Sequence, residues 1–278
     1  MLHLTDDIFC FLRNSGIDAS RCECDGVEIL KVSCNGSEKV IFPISIKAGT
    51  ASEAHAAACD ARAIIDSLRD SGAYPLIITE DRWHRQRAMM QSRLLAHLER
   101  FSPVFARKCE VRRVDKVTAD AFLQENHSYG SAACRYRYGL FLKGEDKLVA
   151  VATFSNARKW QKGDRTIRSY EWTRYASLPD ARVSGGMGRL LKAFVKDVEP
   201  DDIMSYADLE WSEGGVYEQL GFTLEGQKGA VMFVVDGQWK RAPLRAGGEG
   251  ISGPAGSEGR FYENFGSNKY RLKLTEYR

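Results

Sequence analysis

From Cys109 onward the apolar residues change period in a fixed order, and that order constrains the fold more than any other feature of the chain. Residues 110–115 read as a strand and 118–127 as a helix capped by Thr118. Strands follow at 136–142 and 148–154, joined at Gly144-Glu145-Asp146, and again at 167–176. Residues 185–198 then carry a helical stripe, 203–210 a strand and 215–220 a short helix. Runs at 222–225 and 231–239 read as closing strands. Strands interleaved with amphipathic helices in this way predict an α/β fold.

The first hundred residues predict a smaller α/β unit. A short helix over 4–12 breaks at Asn14-Ser15-Gly16, and β-branched runs at 27–33 and 40–47 flank the hairpin signal Asn35-Gly36-Ser37. Thr50 with Glu53 three residues later opens an Ala-rich helix, since a threonine side chain accepts from the free first-turn amides. A strand over 74–79 and one helix from Asp81 complete the unit, the helix placing Trp83, Met90, Leu94, Leu95 and Leu98 at helical spacing before Pro103. The expected division is 1–104 as an accessory domain, 105–245 as the main domain and 246–278 as a Gly-rich loop and tail.

Composition narrows the class. The chain has 278 residues, 44% hydrophobic and 28% charged, with a net charge of +3, a normal globular balance. No apolar run approaches the roughly 20 residues needed to cross a bilayer, and acids stand in the N-terminal segment where a signal peptide carries Lys or Arg. A cytoplasmic protein without membrane contact is expected. Seven cysteines, an odd number without framework spacing, predict reduced thiols; Cys22 and Cys24 have no second pair at zinc-site spacing, so no metal is expected. Ten Lys/Arg between Arg82 and Lys116 face only Glu99, Glu110 and Asp115, a basic excess open to phosphates or to solvent alone.

Two segments carry chemistry. Residues 183–191, Val-Ser-Gly-Gly-Met-Gly-Arg-Leu-Leu, follow a strand and open an amphipathic helix, whose first amides and positive dipole end suit a pyrophosphate. Residues 216–222 read Val-Tyr-Glu-Gln-Leu-Gly-Phe. Over about half the chain, the element order and these two segments resemble the GNAT acyltransferase superfamily. The first segment is similar to its (Q/R)xxGx(G/A) loop, with Gly186 and Gly188 at the glycine positions and Val183 where Gln or Arg stands; the second is similar to its YexxGF element.

The resemblance implies a mixed twisted sheet with flanking helices, acetyl-CoA as cosubstrate, held by Arg182, Ser184, Gly185, Gly186, Met187, Gly188 and Arg189, and direct transfer to an amine. It gives Tyr217 the role of acid toward the departing thiolate, which an ordinary phenol, protonated at neutral pH, can perform. An amine attacks only when unprotonated, so a base is needed. Glu171 in the strand before the loop, Asp208 in the strand after it, and His127 at a helix end are the candidates. Strand parity groups Glu171 with Thr173 and Trp172 with Arg174 without saying which face meets the cleft.

Arg158, Lys159, Lys162, Arg165, Arg168 and Arg174 interleave with Trp160 and Trp172, and Arg135-Tyr136-Arg137-Tyr138 repeats the mixture. Arginines beside flat aromatics suit phosphate contact and base stacking, or simply a basic hairpin with packed stems. The segments 105–110, 126–127, 138–140 and 205–208 are similar to GNAT-like domains of phage and mobile elements, Mom-like ones among them, which implies a possible nucleic-acid acceptor. That likeness also suggests a degenerate restriction-endonuclease-like N-terminal unit. Asp25 or Glu28 and Lys47 would be its metal-site residues, but Ser45 stands where the second carboxylate is required, so a working nuclease centre is not expected.

Overall fold

The computed structural model describes residues 3–34, 36–244 and 259–276. The loop expected at 247–259 lies, apart from Gly259, outside the described residues, as does Asn35 of the hairpin signal. The chain runs through α1 (Leu4–Asn14), β1 (Ala19–Cys24), β2 (Val27–Cys34), β3 (Ser37–Ile44), α2 (Ala51–Asp70), β4 (Leu76–Thr79), α3 (Glu80–Arg85) and α4 (Arg87–His97). It continues with β5 (Ser102–Phe105), β6 (Cys109–Arg113), α5 (Lys116–Asn126), β7 (Tyr136–Leu142), β8 (Leu148–Phe154), β9 (Arg158–Lys162), β10 (Arg165–Ser177) and β11 (Ala181–Ser184). Then come α6 (Gly186–Val198), β12 (Asp202–Asp208), α7 (Gly215–Gln219), β13 (Thr223–Lys228), β14 (Met232–Val235), β15 (Arg241–Pro243), β16 (Arg260–Glu263) and β17 (Ser267–Lys273). This is the α/β class expected, a mixed sheet with flanking helices. No helix among the described residues is long and apolar enough to cross a membrane.

Contacts group residues 1–99, 209–211 and 229–266 as one unit and 100–208, 212–228 and 267–278 as another. This differs from the contiguous division read from the sequence. The run near 231–239, expected to close the main sheet, forms β14 of a three-stranded sheet with β15 and β16 in the first unit. The expected tail instead supplies β17, which lies between β12 and β13 in the main sheet.

In the first unit, β1, β2 and β3 form an antiparallel meander and β4 joins β3 in parallel. Thr50 caps α2 as expected, its side chain accepting from the Glu53 amide at 3.2 Å while Glu53 accepts from the Gly49 amide at 2.8 Å. The single helix expected after Asp81 is broken at Gln86, where φ is −122° and ψ 41°. The period survives the break, because Trp83, Met90, Leu94 and Leu98 all enter one core with Leu4, Ile8 and Leu12 of α1.

The returning segments are locked by buried charge. Arg241 donates to both Asp81 oxygens, to Glu210 at 2.9 Å and to Thr79 at 2.9 Å; Arg82 pairs with Glu210 at 3.0 Å and Tyr262 donates to Glu210. Burial alone would raise the Glu210 carboxyl, but Arg241 and Arg82 beside it bring it down to about 2.

In the second unit the strand order is β13-β17-β12-β10-β8-β7-β6, with β9 paired to β10. Helix α5 begins earlier than expected. Asp115, not Thr118, is its cap, accepting from the Thr118 amide at 2.9 Å and the Thr118 hydroxyl at 2.8 Å. Phe154 stacks on Phe194 of α6, with ring centroids 3.9 Å apart, at the centre of the larger core. Ala176 and Val151 pack α5 through Ala119, Phe122 and Leu123 on the other face.

Candidate functional site

The site begins where two parallel strands part. Strands β10 and β12 pair only at Ser169 with Asp202, Tyr170 with Ile203 and Glu171 with Met204. Beyond this, β10 stays with β8 while β12 continues along β17, and a register shift between Trp172 and Arg174 leaves Thr173 outside the ladder. Thr173 bonds instead to Thr153, hydroxyl to hydroxyl at 2.7 Å.

The carbonyl of Trp172, at the start of the gap, accepts from the Ser205 hydroxyl at 3.0 Å. The Ser205 oxygen also stands 2.9 Å from the phenol oxygen of Tyr217. A carbonyl can only accept and serine has one proton, so Ser205 donates to Trp172 and Tyr217 donates to Ser205. Tyr217 is half-buried on α7, stacked on Tyr270 at 5.2 Å and edge-on to Phe222 at 5.5 Å and Trp172 at 6.3 Å. Burial pushes its phenol up from the ordinary value, so it is protonated at neutral pH.

Local backbone explains how Tyr217 arrives there. Gly214, at φ 90°, starts α7, and a Cβ on it would run into the ring of Tyr270. Gly221, at φ 86°, closes the helix as the Phe222 amide bonds back to the Tyr217 carbonyl at 2.9 Å.

Strand parity separates the candidates by face. Tyr170, Trp172, Ile203 and Ala207 enter the core under α6, with Ser205 between the last two, so Tyr217 and Ser205 serve that side. Glu171 and Asp208 point to the opposite face. Asp208 accepts from the Tyr129 hydroxyl at 3.0 Å. Arg174 lies in the electrostatic reach of both Glu171 and Tyr129, donates to the Gly130 carbonyl at 3.1 Å and to Thr173 at 2.7 Å, and is pushed below its ordinary value by burial. Both candidate bases thus lie on the face that carries Arg174, and Asp208 alone of the two is bonded to Tyr129. His127 accepts from the Tyr129 amide at 3.1 Å and orders the same turn.

The loop before α6 divides its residues between packing and exposure. Gly185 takes the left-handed conformation, φ 74°, and is exposed with Ser184 and Arg182. Gly186 is buried, and a Cβ there would meet Val183 at 2.9 Å and the Tyr175 hydroxyl at 3.0 Å. At Gly188 a Cβ would approach Leu220 at 3.1 Å. These two glycines therefore serve close helix packing. Met187 packs on the core and Arg189 donates to the Ala106 carbonyl at 2.9 Å. Val183 is a buried residue of β11, beside Val104 of β5, which accounts for an apolar side chain at that position.

The basic aromatic segments are less open than their composition suggests. Arg158 and Lys159 are exposed on the β9–β10 hairpin, but Arg165 and Arg168 pair with Asp201, at 3.1 and 3.6 Å. Trp172 is buried, and so is Tyr138, which donates to Asp197 at 2.7 Å.

In the first unit, Glu28, Ser45 and Lys47 share the wall of a cavity of about 590 Å³. Glu28 pairs with Arg21 at 3.3 Å, and Lys47 stands 3.4 Å from His3. Asp25 is an exposed turn residue with φ 48°. Among the described residues no group of three or more His, Cys, Asp or Glu is placed to hold a metal.

The sequence pointed to Tyr217, Glu171 and Asp208 but not to Ser205, Tyr129 or Arg174 as their partners. These are hydroxyls and a guanidinium whose relevance depends on where two strands separate, which no local pattern records.

No protein-family model matches the chain, and no curated protein matches it. Among solved structures, Eis1 from Mycobacterium abscessus is similar with 14% identity and a TM-score of 0.36, over 45% of this chain and 33% of that one. The chain thus spans about a third of Eis1. An acetyltransferase related to histone acetyltransferase HPA2, from Corynebacterium glutamicum, is similar with 12% identity and a TM-score of 0.36, over 61% of this chain and 98% of that one. A mutant AtaT toxin bound to acetyl-CoA and to the C-terminus of the antitoxin AtaR shows 13% identity and a TM-score of 0.30, over 43% and 87%. Likenesses this distant carry no weight for activity.

Proposed function

We propose that the second unit is an acyl-CoA-dependent N-acyltransferase of GNAT type, using acetyl-CoA and transferring directly to an amine. The observation that carries this is the parting of β10 and β12 beyond Glu171 and Met204, with Tyr217 and Ser205 on one side of the gap and Glu171 and Asp208 on the other. Such a gap admits an extended thioester between strands, and its two faces separate the acid from the base. The exposed Ser184 and Gly185 at the start of α6 fit a pyrophosphate, because the first amides of a thirteen-residue helix lack partners within it.

In this reading Glu171 or Asp208 takes the proton of the incoming amine, and the Tyr129 hydroxyl orients the Asp208 carboxylate. Tyr217 gives its proton to the leaving thiolate. Ser205, held by the Trp172 carbonyl, keeps the phenol aimed. Titration with acetyl-CoA tests the reading: the thermal midpoint of the chain should rise with ligand concentration. A midpoint unmoved at millimolar acetyl-CoA would overturn it.

The exposed Arg158 and Lys159 on the β9–β10 hairpin favour a second reading, a nucleic-acid-binding or base-modifying GNAT-like protein of the Mom-like kind. It requires binding to DNA or RNA that weakens steeply with salt. Binding indifferent to salt, or none, removes it.

A further inference from the structure

In the first unit, His55, Cys59 and Arg62 fall on one stripe of α2, and the stripe faces Glu263 of β16. The His55 Nδ1 stands 2.8 Å from Glu263 Oε2, and its Nε2 stands 3.7 Å from Cys59 Sγ. An ionised carboxylate can only accept, so Nδ1 carries the proton of the neutral ring. The Nε2 lone pair is thereby left facing the thiol, as a base for it must be. The carboxylate is itself fixed. Glu263 is 8% exposed, and Arg62 donates to its other oxygen at 3.2 Å and to the Asn264 carbonyl at 2.7 Å. Cys59 is exposed, so a reagent can reach the sulfur.

We propose that Cys59 is an activated thiol, with His55 as its base and Glu263 as positioning residue, and that it exchanges with low-molecular-weight disulfides. The chemical class follows from the surroundings. The cavity of about 590 Å³ in this unit is walled by Ala54, Ala57, Ala58 and Ala61 of α2 and by Glu263 of β16, and neither His55 nor Cys59 lines it. The sulfur lies on an open helix face, which suits a small, mobile partner and a covalent modification rather than turnover of a bound substrate.

The step balances without a further reagent. The Cys59 proton passes to His55 Nε2, and the sulfur attacks one sulfur of the disulfide. A new S–S bond forms as the old one breaks, and the departing thiolate takes the proton from the imidazolium. Cys59 is oxidised to a mixed disulfide and the departing sulfur is reduced to a thiol.

The test uses the full chain, oxidised glutathione as the probe, and site-resolved mass spectrometry. Cys10, the exposed cysteine of α1, is the internal reference. At neutral pH Cys59 should form the mixed disulfide about tenfold faster than Cys10. The substitution H55Q, at a side chain 63% exposed, should bring Cys59 down to the rate of Cys10 without shifting the thermal midpoint. E263Q should give a partial loss; if that variant does not fold, H55Q decides. A wild-type Cys59 no faster than Cys10, or an H55Q variant as fast as wild type, overturns the proposal.

Discussion

Tyr217 donates its phenolic proton to Ser205, 2.9 Å away, and Ser205 hands its own to the Trp172 carbonyl. An acid arranged in this way is aimed by its acceptor. Under the proposed function, Y217F should keep acetyl-CoA binding while lowering turnover by about 10² to 10⁴, the usual contribution of a positioned proton donor. S205A should cost about tenfold, because the phenol survives and only its aim is lost. Steady-state kinetics beside a thermal-shift titration separate the two effects, and Y217F with unchanged kcat would remove the phenol from the mechanism.

Asp202 is fully buried and its charge is met by Arg271 at 2.5 Å, with Ser169 donating to the same oxygen. Arg271 also grips Glu225 through two bonds, at 2.7 and 3.0 Å, which hold that carboxyl at about 2. Removing one partner strands a buried charge. R271M should destabilise the chain by about 3 to 5 kcal/mol in urea unfolding, and adding D202N should recover part of the loss. A double variant no more stable than R271M would contradict the pairing.

His97 is pushed down to about 4 from 6.5, mainly by burial and further by Arg93 and Lys39. Its Nε2 has no hydrogen-bond partner among the described residues. The folded state therefore favours the neutral ring, and the unfolded state binds more protons between pH 6.5 and 4. Stability should be complete above pH 6.5 and fall as pH drops toward 4, by no more than roughly 3 kcal/mol. Thermal midpoints followed across this interval should slope less in H97Q. Parallel slopes would show that other groups govern acid sensitivity.

Gly214 combines φ 90° with the ring of Tyr270 where a Cβ would stand. G214A should therefore lower stability by more than about 1 kcal/mol, the loss expected where alanine meets an incompatible φ. Because Tyr270 also stacks on Tyr217, acetyl-CoA turnover should fall with it. Gly215, where an added Cβ meets nothing within 4 Å, is the control: G215A should be nearly neutral.

Much of this architecture is legible in the sequence. Alternation and helical period located β7, β8, β10, α6 and β12, and the short helix expected at 215–220 is α7. The failures have physical causes. Residues 267–273 fall in the expected tail; Lys269 and Arg271 interrupt their apolar pattern, yet Arg271 is satisfied by Asp202 and Glu225 inside the sheet. The apolar run at β14 looked suited to the main sheet, since its period records a buried face and not which sheet receives it. The site was half legible. Side chains with evident chemistry could be named, whereas Ser205, Tyr129 and Arg174 acquire their roles only once β10 and β12 part.

The position of β17 bears on how the chain is made. During synthesis β12 emerges with its outer edge bare, and the strand that covers it is translated only after the whole of β13, β14, β15 and β16. A nascent chain passes through a stage in which a central strand of the sheet is temporarily a sticky rim, the kind of intermediate that chaperones shield. Completion of this sheet waits on residues 267–273, and truncation before residue 267 should yield aggregates rather than a shorter folded chain.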